Sequence, residues 1–461
     1  MSLTLAEIAA ATGGVLHDVG DPEAIVNAPG ASDSRAVRDG GLFVAVSGAR
    51  VDGHDFVPEA VRRGAACVLA ERPVGAPAVV VDDVQAALGR LAQYALTRTA
   101  DAQIVALTGS AGKTTTKDLL AQVLGRHGET VATPGSFNTE IGLPLTVLLA
   151  DESTRYLVLE MGARHKGDIA YLTTLTPPRI GIVLNVGSAH VGEFGGRQAI
   201  AEAKGELVES LPPAADGGVA VLNADDDLVA AMATRTAAAV VTYGTGQDAT
   251  VRATDVRTDA GRAAFTLHTP DGSAPVRLRL LGAHQVHNAL AVAAAAHVLG
   301  MDTAAIGEAL SAAEPVSAGR LEVLERADGV TIVNDAFNAN TESTRAGLHA
   351  LVSLAAGRPM VAVLGEMREL GDTARAAHEE IGGLVAELGV GTLVTVGTSD
   401  EITALAGAAR RGGCPRIESV PDPDALLPVL NGLLDPADVV LVKASRSVGL
   451  EKFADILQAE C

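Results

Sequence analysis

Residues 103–125 leave the chain little choice of local fold. An apolar run, "QIVAL" (103–107), passes through the small residues "TGSAG" (108–112) straight into "KTTTKDLLAQVLG". An apolar run of that length before glycines reads as a strand, and the segment after it carries helical spacing. Strand, glycine loop and helix in that order open a βαβ unit, so a parallel sheet with covering helices is expected around it.

The loop has a chemistry as well as a shape. The backbone N–H groups of Gly109, Ser110, Ala111 and Gly112 would converge at a helix N-terminus, where the helix dipole favours anions. Lys113 could reach the β- and γ-phosphates of a nucleotide such as ATP, the Thr114 hydroxyl could hold Mg²⁺, and Thr115 follows on the same turn. The common spacing G-x-x-x-x-G-K-[ST] would require glycine at 107, but Leu107 stands there. The loop is the shorter G-x-x-G-K-T.

Other apolar runs, "TRYLVLEM" (154–161) and "IGIVLNVG" (180–187), continue the doubly wound pattern of buried parallel strands. Residues 251–282 read as antiparallel hairpins with a turn at Asp271-Gly272, and an Ala-rich helix follows at 286–299. Upstream, 1–98 alternates short apolar runs with helices as a small α/β unit. Its first helix is marked by capping-box spacing of Thr4 and Glu7 and by Gly13-Gly14 at its end. Beyond a Pro/Ser/Gly segment at 314–320, the runs "VTIVND", "MVAVLGE", "GTLVTVG" and "DVVLVKAS" form a second, Rossmann-like sheet. The expectation is three α/β domains, at 1–98, 99–315 and 316–461, with a hinge near 314–320.

A chain of 461 residues is too long for one core, in keeping with that division. The net charge of −21 argues against nucleic acid, which needs clustered Lys and Arg, and no apolar run is long enough to span a membrane. Three scattered cysteines, Cys67, Cys414 and Cys461, give neither a disulfide framework nor a zinc site and point to a reducing cytoplasm.

Several polar residues fall where a phosphate loop needs company. Glu160 in "LEMGA" ends a strand run, at the sheet edge where ligands collect; it suits Mg²⁺, or is a solvated strand-end carboxylate. His190 in "LNVGSAH" follows the next strand as a ligand or a structural histidine. Lys204 in "AIAEAKGELV" sits between Glu202 and Glu206, and by itself reads as a surface lysine with helical charge partners. Segment 334–340, "NDAFNAN", by itself reads as a polar turn.

Together these residues resemble the Mur ligases, the ATP-dependent amide-forming enzymes of peptidoglycan precursor synthesis, over nearly the whole chain. "TGSAGKTTT" is similar to that family's shortened loop. "SFNTEIGLP" resembles its Asn-x-x-x-Gly-x-Pro segment, which places Asn138 near the phosphates. "LGAHQVHNALAVAAAA" resembles its His-Asn-x-x-Asn helix, with Gln285 for the first amide and Asn288 for the second. The resemblance implies Mg²⁺ at Thr114 and Glu160, and a second Mg²⁺ at His190 and a carbamylated Lys204. It implies catalytic roles for Lys113, Glu160, His190 and Lys204, and nucleotide contacts from Arg320, Asp335, Asn338 and Asn340 of the third domain.

Segment 32–66 resembles the family's UDP-sugar-binding domain and implies substrate contacts at Ser34, Arg35, Asp52, Gly53 and His54. "DAFNANTES" and "VLGEMRELGD" are similar to the family member that adds D-Ala-D-Ala to UDP-N-acetylmuramoyl-tripeptide, with Phe337 for a tyrosine and Thr341 for a proline. The implied partners are these two small molecules, taken up by a monomer. A folate or third-residue ligase, a switch NTPase and a non-catalytic nucleotide scaffold are the rival readings.

Overall fold

The computed structural model describes residues 2–459 apart from 49–50, 100 and 188–190. The chain opens as its caps dictate. The Thr4 hydroxyl accepts from the Glu7 N–H, the Glu7 carboxylate accepts from the Thr4 N–H, and Gly13, in left-handed backbone, closes the helix Leu5–Thr12.

Beside the small antiparallel pair Leu3–Thr4 and Ile25–Val26, three larger sheets follow. The first runs in the order Val15–His17, Ala78–Val80, Cys67–Ala70, Gly41–Val44, Ala28–Ala31, parallel except for its first pair. The second has nine strands. Thr130–Ala132, Tyr156–Glu160, Gln103–Thr108, Ile180–Val183, Val219–Asn223, Ala239–Gly244 and Val251–Asp259 are parallel; Arg262–Thr269 and Gly272–Leu281 then return antiparallel. The hairpin reading of 251–282 is as expected, the turn expected at Asp271-Gly272 falls one residue earlier at Pro270-Asp271, and the hairpins extend the parallel sheet. The Ala-rich helix runs Gln285–Val298.

The third sheet has the order Glu322–Glu325, Thr331–Asn334, Val439–Lys443, Met360–Gly365, Thr392–Val396, Arg416–Val420. Its two outer strands escaped the sequence reading. Each lies at an open edge and mixes charged with apolar residues, Glu325 and Arg416 being exposed, so neither carries the apolar run that marked the inner four.

The cores are shared unequally. One apolar cluster joins Leu42, Val44, Leu88 and Leu91 of the first sheet's layer to Ala106, Leu143, Leu145 and Leu159 of the central layer. The third sheet has two clusters, on either face of its strands, and one of them takes in Leu281 from the end of the central sheet's last strand. It also meets the central layer through polar contacts. Gln122 clamps the connecting segment, donating to the Glu314 carbonyl at 2.9 Å and accepting from the Glu314 N–H at 2.9 Å. Arg164 lies 3.8 Å from Glu369. Among the described residues no helix is long and apolar enough to cross a membrane.

Candidate active site

The strand Gln103–Thr108 ends at the carboxyl edge of the central sheet and the helix Lys113–Gly125 begins five residues later. Between them Gly112 takes a φ of +80°, and a Cβ there would lie 2.5 Å from Asn288 Oδ1. Only glycine fits, by backbone and by space. Asn288 is held against the loop by Gln285, whose Oε1 accepts from Asn288 Nδ2 at 2.8 Å. The longer amide at 285 thus orients the shorter one at 288. Lys113 Nζ donates to the Gly109 carbonyl at 2.8 Å, so the amine is folded over its own loop. Burial and the nearby Arg320 lower its pKa, while Glu160 draws it back up. Thr115 is half-buried on the first turn of the helix.

Glu160 lies one strand away, in register with Leu107 and 1% exposed. Its Oε1 accepts from Asn138 Nδ2 at 2.7 Å, and its N–H donates to Thr133 Oγ1 at 3.0 Å. Its Oε2 is buried without a partner, as are Thr108 Oγ1, Ser110 Oγ, Thr116 Oγ1 and Arg320 Nε around the same loop. Buried polar atoms are ordinarily paired, so this concentration of unpaired ones marks a place prepared for a polar ligand. An orphaned carboxylate oxygen beside a threonine hydroxyl and a phosphate loop fits Mg²⁺, which takes oxygen ligands.

Lys204 corrects the surface reading. It is 4% exposed, and its neighbours in sequence are otherwise engaged. Glu202 pairs with Lys166 at 3.2 Å, and Glu206 accepts from the N–H groups of Gly167 and Ala170 at the start of another helix. Residues two apart on a helix point to different faces, which is why the flanking carboxylates do not serve it. Burial, and then the charge of Lys113, push the Lys204 amine well below its usual pKa. His190 lies outside the described residues.

From the third sheet, Arg320 crosses to the phosphate loop and donates from Nη2 to Thr114 Oγ1 at 3.2 Å. Its guanidinium rests 4.1 Å from the Phe337 ring centroid, and Arg446 approaches the same ring at 5.2 Å. Asp335 is buried against Lys443, with Nζ 2.6 Å from Oδ2, and Lys443 also donates to the Asn338 carbonyl at 2.9 Å. Burial pushes the Asp335 carboxyl up and the Lys443 amine down. Lys443 escaped the sequence reading because it ends an apolar strand run, where a lysine reads as a strand terminus. Asn338 exposes its side chain, whereas Asn340 spends its own as a helix cap. Its Oδ1 accepts from the Ser343 N–H at 2.8 Å, opening the helix Thr341–Ala355. A cavity of about 810 Å³ opens between the two layers, lined by Thr114, Lys117, Asp118, Gly319, Arg320 and Phe337 among others.

The first-sheet residues form a separate group. Ser34 Oγ donates to Glu59 at 2.8 Å, and Arg35 pairs with Asp33 at 2.7 Å on the surface. His54 Nε2 accepts from the Glu71 N–H at 3.0 Å, which leaves Nδ1 to donate to Asp52 at 2.6 Å. Asp52 also takes Arg72 at 2.8 Å, and these donors hold its carboxyl far below the usual range. Gly53 lets the chain pass tightly under Val46, where a Cβ would meet backbone at 2.7 Å.

Family models match along the chain in three stretches. They are the Mur ligase family catalytic domain at 31–96, the Mur ligase middle domain at 107–296, and the Mur ligase glutamate ligase domain at 319–446. A UDP-N-acetylmuramoyl-tripeptide–D-alanyl-D-alanine ligase of Mycobacterium tuberculosis is 47% identical over 504 aligned positions, covering 100% of this chain and 98% of the relative. The chain belongs to the Mur ligase family. A ligase of the same description from Escherichia coli is 35% identical, with 93% of each covered. Among solved structures, MurF from Acinetobacter baumannii superimposes with a TM-score of 0.86 at 33% identity, covering 100% of this Mur ligase and 99% of that chain. MurF from Thermotoga maritima, solved in complex with ADP, gives 0.79 at 32% identity, covering 94% and 98%.

Proposed function

We propose that this Mur ligase joins D-Ala-D-Ala to UDP-N-acetylmuramoyl-tripeptide at the expense of ATP, giving ADP, phosphate and UDP-N-acetylmuramoyl-pentapeptide. The observation that carries the reading is the helix after the phosphate loop, which lines the interdomain cavity from Thr114 onward, with an unpaired, buried Glu160 oxygen one strand away from the loop. The names of relatives matched end to end supply the substrates.

A carboxylate is a poor electrophile at neutral pH. Transfer of the γ-phosphoryl group to the tripeptide's terminal carboxylate makes an acyl phosphate and releases ADP. The dipeptide amine then attacks that carbonyl, loses a proton and expels phosphate. Such chemistry asks the protein for position and charge neutralisation more than for a nucleophile. Lys113 and Arg320 are the cations set against the phosphates, with Gly109, Ser110, Ala111, Gly112, Thr115, Asn138 and Asn288 around them. Thr114 and Glu160 would hold one Mg²⁺, and His190 with Lys204 a second, neutralising phosphate charge. The depressed pKa of Lys204 supports its carbamylation, because the unprotonated amine is the form that adds to CO₂.

In this reading residues 1–98 hold the UDP-sugar through Ser34, Arg35, Asp52, Gly53 and His54, and residues 99–315 hold ATP. Residues 316–461 close over both with Arg320, Asp335, Asn338 and Asn340, turning about 314–320, in a cytoplasmic monomer. Closure would keep water from the acyl phosphate.

The test is phosphate release from ATP-Mg²⁺ and UDP-N-acetylmuramoyl-tripeptide with and without D-Ala-D-Ala. Release that needs the dipeptide, with pentapeptide product by mass, is expected. Release indifferent to the dipeptide would replace this function by a switch NTPase, and release needing a UDP-muramoyl-dipeptide and a diamino acid would move the chain to the preceding ligase.

A further inference from the structure

The short phosphate loop raises a question of how it holds its shape. The structure answers with a residue from the next strand. The strands Gln103–Thr108 and Ile180–Val183 pair in parallel with Thr108 opposite Val183. The ladder continues past both ends. Leu184 N–H donates to the Thr108 carbonyl at 2.9 Å, and Ser110 N–H donates to the Asn185 carbonyl at 3.1 Å. The Asn185 side chain therefore arrives against the loop. Its Oδ1 accepts from the N–H groups of Ser110 at 3.0 Å and Ala111 at 2.9 Å, and its Nδ2 donates to the Ala111 carbonyl at 3.1 Å.

That pattern demands an amide. Two loop donors need an acceptor, and one loop carbonyl needs a donor, from the same side chain. An ionised carboxylate offers no donor, so Asn185→Asp would set an oxygen against the Ala111 carbonyl and a negative charge beside the phosphates. Asn185 is itself anchored through its neighbours. Asn223 Nδ2 donates to the Leu184 carbonyl at 2.9 Å, Val186 N–H donates to Asp226 at 2.9 Å, and Arg197 donates to the Val186 carbonyl at 2.7 Å. The brace thus stands on rigid strand ends.

We propose that Asn185 is a positioning residue for the nucleotide: its amide closes the shortened phosphate loop, and it ties that loop to the segment leading to His190. The proposal rests on the phosphate-loop reading above. It also implies a division of labour within the loop. The N–H groups of Ser110 and Ala111 are committed to Asn185, so the phosphates are left to the N–H groups around Gly112, Lys113 and Thr114.

The test compares wild type with Asn185→Ala and Asn185→Asp. Mg-ATP affinity is measured by calorimetry, and KM is measured for each substrate. Asn185→Ala is expected to weaken ATP about tenfold and Asn185→Asp further, with KM for D-Ala-D-Ala held within about twofold. Unchanged ATP affinity in Asn185→Ala, or equal damage to every substrate, would overturn the proposal. Failure of the wild type itself to bind ATP would instead overturn the phosphate-loop reading. A measurement on the wild type alone stands even where a variant does not fold. The Ser110 and Ala111 amides should exchange with solvent slowly in nucleotide-free enzyme, and fast exchange there refutes the brace.

Discussion

Lys204 shows at the scale of one residue how burial can reverse a sequence reading. Its flanking glutamates made it look like a surface lysine, yet the helix turns it inward while Glu202 and Glu206 serve other partners. None of the described residues offers its Nζ a hydrogen bond or ion pair. A buried amine without a partner is unfavourable to the fold, which accords with the catalytic role proposed for Lys204. Lys204→Met should therefore leave the thermal midpoint of the ligand-free enzyme unchanged or raised, by about 1–2 kcal/mol of stability, while lowering turnover about 100-fold or more. Calorimetry with a turnover assay checks both halves; full activity in the variant would remove Lys204 from the site.

Elements in the third sheet's layer are tied by a titratable group. His378, fully buried on the helix Ala374–Glu387, accepts from the Met367 N–H through Nε2 at 3.0 Å and faces the Ala374 carbonyl through Nδ1 at 2.7 Å. It so fastens the loop after the strand Met360–Gly365, which carries Glu369 to the central layer. Acceptance at Nε2 needs the neutral ring, and burial holds the His378 pKa below its ordinary value. A folded pKa below the unfolded one means protons favour unfolding. The stabilisation is complete above about pH 6.5 and declines as pH falls toward the folded pKa. The thermal midpoint should drop between about pH 6.5 and pH 5, with a shallower slope in His378→Gln, measured across matched buffers.

The whole molecule divides by how its layers adhere. One apolar core runs from the first sheet into the central one, whereas the third sheet's clusters take in Leu281 of the centre and its junction is otherwise made by polar contacts such as Gln122–Glu314 and Arg164–Glu369. Apolar burial couples layers cooperatively, and exposed polar contacts do so weakly. Calorimetry should resolve two transitions, one for the first two layers together and one for the third. Saturating Mg-ATP with UDP-tripeptide should draw them together, since ligand at about 100 times its dissociation constant adds about 2.7 kcal/mol to what it bridges. A single ligand-independent transition would show the third layer to be fused to the rest. Small-angle scattering should show compaction under the same ligands.

Sequence alone determined whatever is written in local order. The apolar runs gave the inner strands, the capping pair Thr4 and Glu7 gave the first helix, and "TGSAGKTT" placed a phosphate loop on a helix N-terminus. Those signals are legible because propensity, periodicity and turn chemistry act over a few residues. Tertiary structure decided what depends on distant neighbours. Asn185 meets Ser110 only because two strands pair in register, and Lys443 meets Asp335 only because Thr331–Asn334 lies beside Val439–Lys443. Lys204 becomes a buried amine only because its helix packs with that face turned inward. No spacing in the chain encodes those meetings; strand order and burial create them.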